Sequence, residues 1–374
     1  MKILFVASLH HPEQLQRDRQ QAQAQGHPAP IFPTSMNLHF WERVLRQRGH
    51  TITIFWRNLS GFGSGDISDL QAETYTERIT PRRILTAINQ RLPYRLNPDL
   101  RRRNMRLIAQ ARREQPDILW MIGDNRVIAP DTLAQIKREI GCRVIYLSGT
   151  SPIVFSHQME RAAARLYDCV LVNDYYHGMQ WRELGAKQML CLPYVAIDPD
   201  FHQPRPAHPD YACDVSFVGT LLPEHLYSER VAALAALRDF DLGIWSVHDV
   251  PAVLRSHRRG YALGATMLDV IASSTLTINA HGDFMRYGGN MRLFEAASVG
   301  TLQLVDDRPG VREWFTDGEN IVIYRDPDDL RAKVAYYLAH PDDRARIAHA
   351  AREHVRAHHT YEQRLQALEA AGIV

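Results

Sequence analysis

The 374-residue chain has little of several things, and each shortage excludes a class of function. It holds four cysteines, Cys142, Cys169, Cys191 and Cys213, with no CxxC pair among them. That argues against a disulfide framework or a zinc site and favours a reducing compartment. Three of the four lie in or beside apolar runs and read as small buried hydrophobes. No apolar run approaches the ~20 residues that a membrane span needs. The opening MKILFVASLHH has a charge and an apolar stretch. It is too short for a signal peptide and lacks a small-residue cleavage site, so it reads as a buried first strand, and a cytoplasmic location is expected. The formal net charge is only +2, so no global field selects nucleic acid or an anionic membrane. Arginine does cluster locally, at Arg82 and Arg83, Arg101 to Arg103, and Arg112 and Arg113. These read as solvated helix faces; the alternative is contact with an acidic acceptor or, peripherally, with membrane headgroups. No Ser-His-Asp or Cys-His pattern supports hydrolase chemistry.

What is present is a soluble, globular composition, 45% hydrophobic and 23% charged, long enough for two domains. Strand and helix signals alternate from end to end. Strands are expected at Lys2 to Ala7, Thr51 to Trp56, Asp117 to Ile122, Arg143 to Leu147, Cys169 to Val172 and Gln188 to Leu192, with helices between them. Glu13 to Ser35 is Gln-, Pro- and Gly-rich without apolar periodicity and reads as a long loop. Gly61 to Gly65 reads as a loop, and Arg82 to Arg113 as a helix broken near Pro93 and Pro98. Five prolines between Pro193 and Pro209 mark a linker. The pattern restarts at Asp214. The expected organisation is a first domain at 1–195, a linker at 196–212, a second domain at 213–358, and a last helix at 359–374 that packs back on the first domain. Short strands with helical crossovers imply parallel sheets covered on both faces. The fold class is α/β, two doubly wound domains facing a cleft, with ligands beyond the carboxyl ends of the strands.

The densest chemistry runs from Thr275 to Asp307, TLTINAHGDFMRYGGNMRLFEAASVGTLQLVDD. A strand ends in a polar loop, His281 to Gly289, and a helix starts near Asn290 and closes at Gly300. Gly288 and Gly289 allow close backbone approach. A helix beginning this way offers free N–H groups and a positive dipole end to an anion such as phosphate. Arg292 and Glu295 sit on its first turns, on one face; they reach either a ligand or each other. Asn290 caps the helix or donates to phosphate. The combination points to a nucleotide-sugar diphosphate site. Gly219 and Thr220 end another strand where a diphosphate would touch backbone. His281 and Gly282 follow the next strand, the histidine reaching sugar or phosphate or merely lying at the surface. Trp245 borders a base or packs in the core.

The stretch NMRLFEAASVGTLQLVDDRPGVREWFTDGENIVIYRDPDDL, with the later YYLAHPDDR and HTYEQR, resembles the C-terminal domain of group 1 glycosyltransferases. More narrowly, it resembles the spore maturation protein CgeB-like branch. PDILWMIGDNRVIAPDTLAQIK and YDCVLVNDYYHGMQWRELGAKQMLCLPYVAIDPDFH resemble the same branch in the first half. The resemblance implies a GT-B fold, a nucleotide-sugar donor held by the second domain and an acceptor held by the first. Glu295 matches a glutamate that binds the donor ribose in that family. Relatives carry a second glutamate, separated from it by seven residues, and that position is Tyr287 here. An Arg and a Lys that hold the diphosphate in some relatives are missing from GTLLPEH after the strand ending at Val218. Arg292 is the expected substitute, since its fork suits phosphate oxygens.

The implied function is a metal-independent transferase moving a sugar from a nucleotide-diphosphate sugar to a hydroxyl of a glycan, lipid or protein. No cofactor and no metal are expected; Asp306–Asp307 and Asp328–Asp329 are adjacent pairs, not spaced ligands. A base, where one is needed, is sought at His10 or His11 after the first strand, or at Asp124 after the third. A retaining enzyme would need none. The other readings are a catalytically silent GT-B scaffold binding a glycan or protein partner, and a sugar-nucleotide 2-epimerase.

Overall fold

The computed structural model describes residues 1–59, 92, 94–193 and 196–374. The loop expected at 61–65, the Arg82–Arg83 pair and the start of the helix expected from Arg82 lie outside the described residues. The chain divides into two compact units. The first comprises Met1–Val172 and His177–Cys191, the second Asn173–Tyr176 and Leu192–Val374.

The first unit is built on a six-stranded sheet. Its strands are β1 (Lys2–Ala7), β2 (Thr51–Trp56), β3 (Ile118–Ile122), β4 (Arg143–Ser148), β5 (Cys169–Val172) and β6 (Met189–Cys191), in the order β2-β1-β3-β4-β5-β6. Every pairing is parallel. The strands are near-continuous apolar runs, as a sheet buried on both faces requires. Leu4, Val6, Leu119, Met121, Val144 and Tyr146 form one side of the core. The order reverses between β1 and β3, the point at which open α/β sheets hold ligands.

One expectation fails here. Pro12–Ala24, expected within a loop, is a helix. Its apolar signal is weak because only Leu15 is buried. Helix-favouring Gln, Arg and Ala and a proline in the first turn carry it instead. The segment beyond folds back on it, with Asp18 accepting from Thr34 N–H at 2.8 Å and Arg19 donating to the Pro30 carbonyl at 2.8 Å.

The second unit repeats the theme with β7 (Cys213–Val218), β8 (Leu242–Trp245), β9 (Arg258–Gly260), β10 (Ser274–Asn279), β11 (Leu302–Asp306) and β12 (Val322–Tyr324), in the order β12-β11-β10-β7-β8-β9. All its pairings are parallel too. Counted from β7 this is the doubly wound dinucleotide-binding order, with its reversal between β7 and β10. One core holds Val215, Phe217, Leu276, Ile278 and Leu304 under the Ser228–Ala235 and Pro327–Ala339 helices. Further clusters lie under Ala265–Ser273, Arg292–Val299 and Pro341–His358.

The last helix, Tyr361–Ala370, belongs to the second unit. It is tied to the proline-rich segment: Ile197 N–H donates to the His359 carbonyl at 2.9 Å, and Arg364 Nε to the Pro193 carbonyl at 2.8 Å. Arg364 also donates to His359 Nδ1 at 2.6 Å and lies over the Phe294 ring. The HTYEQR signature is therefore a structural latch. Burial, and then the Arg364 cation, push the His359 pKa down to about 3. In the unfolded chain this histidine protonates near the ordinary ~6.5, so the unfolded state takes up a proton first as pH falls. The latch is at full strength above about pH 6.5 and weakens by about 1.4 kcal/mol per pH unit below it. Urea denaturation at pH 7 and pH 5 should show a loss on the order of 2 kcal/mol from this residue. A His359→Gln variant should have a shallower slope; an unchanged slope would contradict this account.

Candidate active site

In the second unit the site lies at the reversal between β7 and β10. Gly219 and Thr220 follow β7; Ala280 and the His281–Met291 loop follow β10. The Arg292–Val299 helix ends at Gly300, whose φ of 84° suits glycine.

Glu295 is buried, with 7% exposure. Its carboxylate accepts from Arg292 Nη1 at 2.7 Å, the i, i+3 ion pair that the spacing allowed. A carboxylate this buried, one turn into the helix and held by a cation, is a preorganised acceptor for hydroxyl or N–H donors. Arg292 also touches the Met267 sulfur, and its Nε is buried without a partner among the described residues. Its guanidinium is thus engaged by Glu295 rather than standing free for a phosphate.

The glycine-rich loop departs from expectation. Its amides, expected to face an anion, point inward. Tyr287 and Gly288 N–H donate to Asp174 Oδ2 at 2.7 and 3.2 Å. Gly289 and Asn290 N–H donate to His281 Nε2 at 3.1 and 3.4 Å. A buried polypeptide loop must satisfy its donors, and two buried acceptors do so here. No described hydrogen bond uses the amides of Met291 and Arg292. These two carry the positive end of the helix. Gly289 is required by space as well as by its φ of 109°: a Cβ there would meet the Asn173 carbonyl oxygen at 2.6 Å and the Trp314 ring at 2.7 Å.

His281 is corrected from a sugar or phosphate contact to a supporting residue. Its side chain is fully buried, and Nδ1 lies 2.7 Å from Asp306 Oδ1. Nδ1 therefore carries the proton and Nε2 accepts the loop amides. Burial alone would raise the Asp306 carboxyl, but His281 and Arg308 hold it well below the usual range. Arg308 Nε donates to Asp306 Oδ2 at 2.7 Å and its guanidinium also meets Glu229. A pocket of about 340 Å3 opens beside this group, lined by Arg230, Ala280, Tyr324 and the pair itself.

The remaining candidates are also fixed by the fold. Asn290 Oδ1 accepts from Leu293 N–H at 3.2 Å, a helix cap, and its Nδ2 donates to Asn279 Oδ1 at 2.7 Å. Gly219 N–H donates to the Trp245 carbonyl at 3.0 Å, so that amide is not offered to a diphosphate. The Thr220 carbonyl accepts from Arg230, which also donates to the Ala280 carbonyl at 2.7 Å. Arg230 thereby ties the ends of β7 and β10 together. Trp245 is a core residue, 3% exposed, among Ala262, Met267 and Ala296. Gly282 is buried, and a Cβ on it would meet the Phe284 ring.

In the first unit, His10 and His11 follow β1 and Asp124 follows β3, neighbouring strands at the reversal. All three are exposed. His11 and Asp124 hold left-handed backbone, with φ of 53° and 60°. Partial desolvation, His11 and the Arg57 cation hold His10 below the ordinary histidine value. Asp124 pairs with Arg126 at 3.1 Å. Beneath them Arg57, 3% exposed, donates to Ser8 Oγ at 3.0 Å and to the carbonyls of Ile122 and Gly123. Sequence reasoning missed Asp174, Arg230, Arg57 and the His281–Asp306 pair. Asp306 had a signal in the acidic end of its strand; Asp174 had none, because its partners lie 113 and 114 residues away.

Residues 224–370 match the family model described as glycosyl transferase-like. The matched span lies within the second unit. No curated protein matches the chain significantly. Solved structures similar to the chain include sucrose-phosphate synthase from Thermosynechococcus elongatus, 14% identical, with 100% of this chain and 98% of that one covered at a TM-score of 0.61. HepE from Anabaena in complex with UDP-glucose is 14% identical, with coverage of 99% and 100% and a TM-score of 0.58. The OtsA apo structure is 10% identical, with coverage of 100% and 99% and a TM-score of 0.58. The fold is GT-B, an α/β fold of two Rossmann-like units. Among the described residues no helix is long and apolar enough to cross a membrane, and no three His, Cys, Asp or Glu are grouped to hold a metal ion.

Proposed function

We propose that the chain is a metal-independent glycosyltransferase of the CgeB-like branch, working in the cytoplasm. It moves a sugar from a nucleoside-diphosphate sugar to a hydroxyl of a glycan, lipid or protein. The observation that carries this reading is the buried Glu295 carboxylate at the strand-order reversal of a transferase-like domain, held by Arg292. In this reading Glu295 accepts hydrogen bonds from the donor ribose. The Met291 and Arg292 amides at the helix start stabilise charge developing on the leaving diphosphate. His10, His11 or Asp124 supplies the base where inversion needs one. The UDP and UDP-glucose complexes of the similar HepE structures support a nucleoside-diphosphate donor. No cofactor is assigned.

The test is thermal unfolding with UDP, GDP, dTDP and CDP. One of them, at ~100 times its Kd, should stabilise the protein by about 2.7 kcal/mol. A second reading, a silent scaffold that binds a glycan or protein, draws on the loop amides being satisfied internally. Silence from all four nucleotides would favour it.

A further inference from the structure

Three tyrosines cluster beside the glycine-rich loop, all in the second unit. Tyr175 and Tyr176 are 40% and 48% exposed, although tyrosine rings are usually better covered in folded chains. Their ring centroids lie 5.8 and 6.0 Å from that of Tyr287, and 6.0 Å from each other. Tyr287 directly precedes Gly288 and Gly289.

The back of this cluster is braced. The Tyr287 ring packs edge-on against Trp314, with centroids 6.0 Å apart. It also fills the space over Gly310, where a Cβ would meet ring carbons at 2.8 Å. The Tyr287 hydroxyl donates to the exposed carboxylate of Glu313. One fully buried carboxylate, Asp174, fixes the backbone of two of the three ring-bearing residues. It accepts from Tyr287 N–H at 2.7 Å and from Tyr176 N–H at 3.0 Å. A carboxylate is costly to bury, and this one serves to orient a partly exposed aromatic group.

Aromatic faces beside a carboxylate suit a pyranose ring: its C–H face packs on the π-system while its hydroxyls donate to the carboxylate. A protein partner fits poorly, because three partly covered rings offer well under the ~1,000 Å2 that a stable protein interface buries. Tyr287 lies in the loop that leads into the Glu295 helix, so the ring cluster borders the candidate site.

We propose that Tyr175, Tyr176, Tyr287 and Glu313 form a saccharide-binding wall, and that the acceptor is therefore a glycan. The acceptor role rests on the transferase reading; the binding of a sugar ring here does not.

The experiment is saturation-transfer NMR on the full chain with methyl α- and β-glucopyranoside, methyl β-galactopyranoside, maltose and cellobiose, with and without UDP. At least one saccharide should receive saturation on its ring protons. The Tyr175→Ala/Tyr176→Ala pair should weaken its binding tenfold or more. The Tyr175→Phe/Tyr176→Phe pair, which keeps the rings, should stay within threefold. Tyr176→Leu, which keeps bulk but has no ring, should also weaken binding, and it replaces the alanine pair should that pair fold poorly. Saturation of no saccharide, or binding by the ring-less variants as tight as by the native chain, overturns the proposal. The nucleotide-induced rise in Tm is read separately on the alanine pair and should be unchanged. Its absence already in the native chain would count against the transferase reading alone.

Discussion

Alanine at Glu295 should erase most of the nucleotide-dependent stabilisation. Hydrogen bonds to a charged acceptor contribute about 1.5–3 kcal/mol each, so losing the proposed ribose contact should raise Kd roughly ten- to hundredfold. A nucleotide concentration that stabilises the native chain by about 2.7 kcal/mol should then stabilise the variant by only about 0.3–1.3 kcal/mol. The unliganded variant also unfolds at lower temperature, because Arg292 loses its ion-pair partner at 2.7 Å in a largely buried position. The two effects separate cleanly: one lowers the baseline, the other removes the ligand increment. Glu295→Gln should fall between, since it keeps an acceptor oxygen but not the charge. Full retention of the nucleotide shift in Glu295→Ala would remove the basis for placing the ribose here.

Leucine at His281 should be strongly destabilising, costing about 3–5 kcal/mol from stranded buried amides and the lost hydrogen bond to Asp306. The substitution takes one partner from a buried pair whose contact is 2.7 Å. It also strands the amides of Gly289 and Asn290, each of which loses its acceptor inside the protein. Urea denaturation of the full chain reads the loss as a lower midpoint for the transition of the second unit. His281→Asn, which retains a donor and an acceptor, should cost less. The nucleotide response should weaken in both variants, because the loop they support leads into the Glu295 helix. A His281→Leu midpoint within about 1 kcal/mol of the native one would contradict the supporting role.

These two residues differ in how legible they are. The place of Glu295 on its helix can be read from sequence because a local pattern carries it: strand, glycine-bearing loop, helix start and a carboxylate one turn in. His281 is visible as a residue at a strand end, but its role is not. Whether a histidine there faces solvent or the loop depends on Asp306, 25 residues later, and on β11 lying beside β10. The Pro12–Ala24 helix escapes a sequence reading for a related reason: with one buried side chain, it leaves almost no periodicity to read.

The loop amides follow the same rule. A helix start preceded by Gly-Gly-Asn has unpaired donors when considered as an isolated segment. Within the fold, Asp174 and His281 take four of them, while no described hydrogen bond uses the Met291 and Arg292 amides.

The amino-acid order alone determined the alternation of strand and helix, the parallel α/β class and the position of Glu295, because each depends on side-chain periodicity or on residues within one turn of each other. Tertiary structure alone decided which polar groups hold the loop and which remain for chemistry. Burial and partnership are set by chain segments distant in sequence, and a buried hydrogen bond is written in no local pattern.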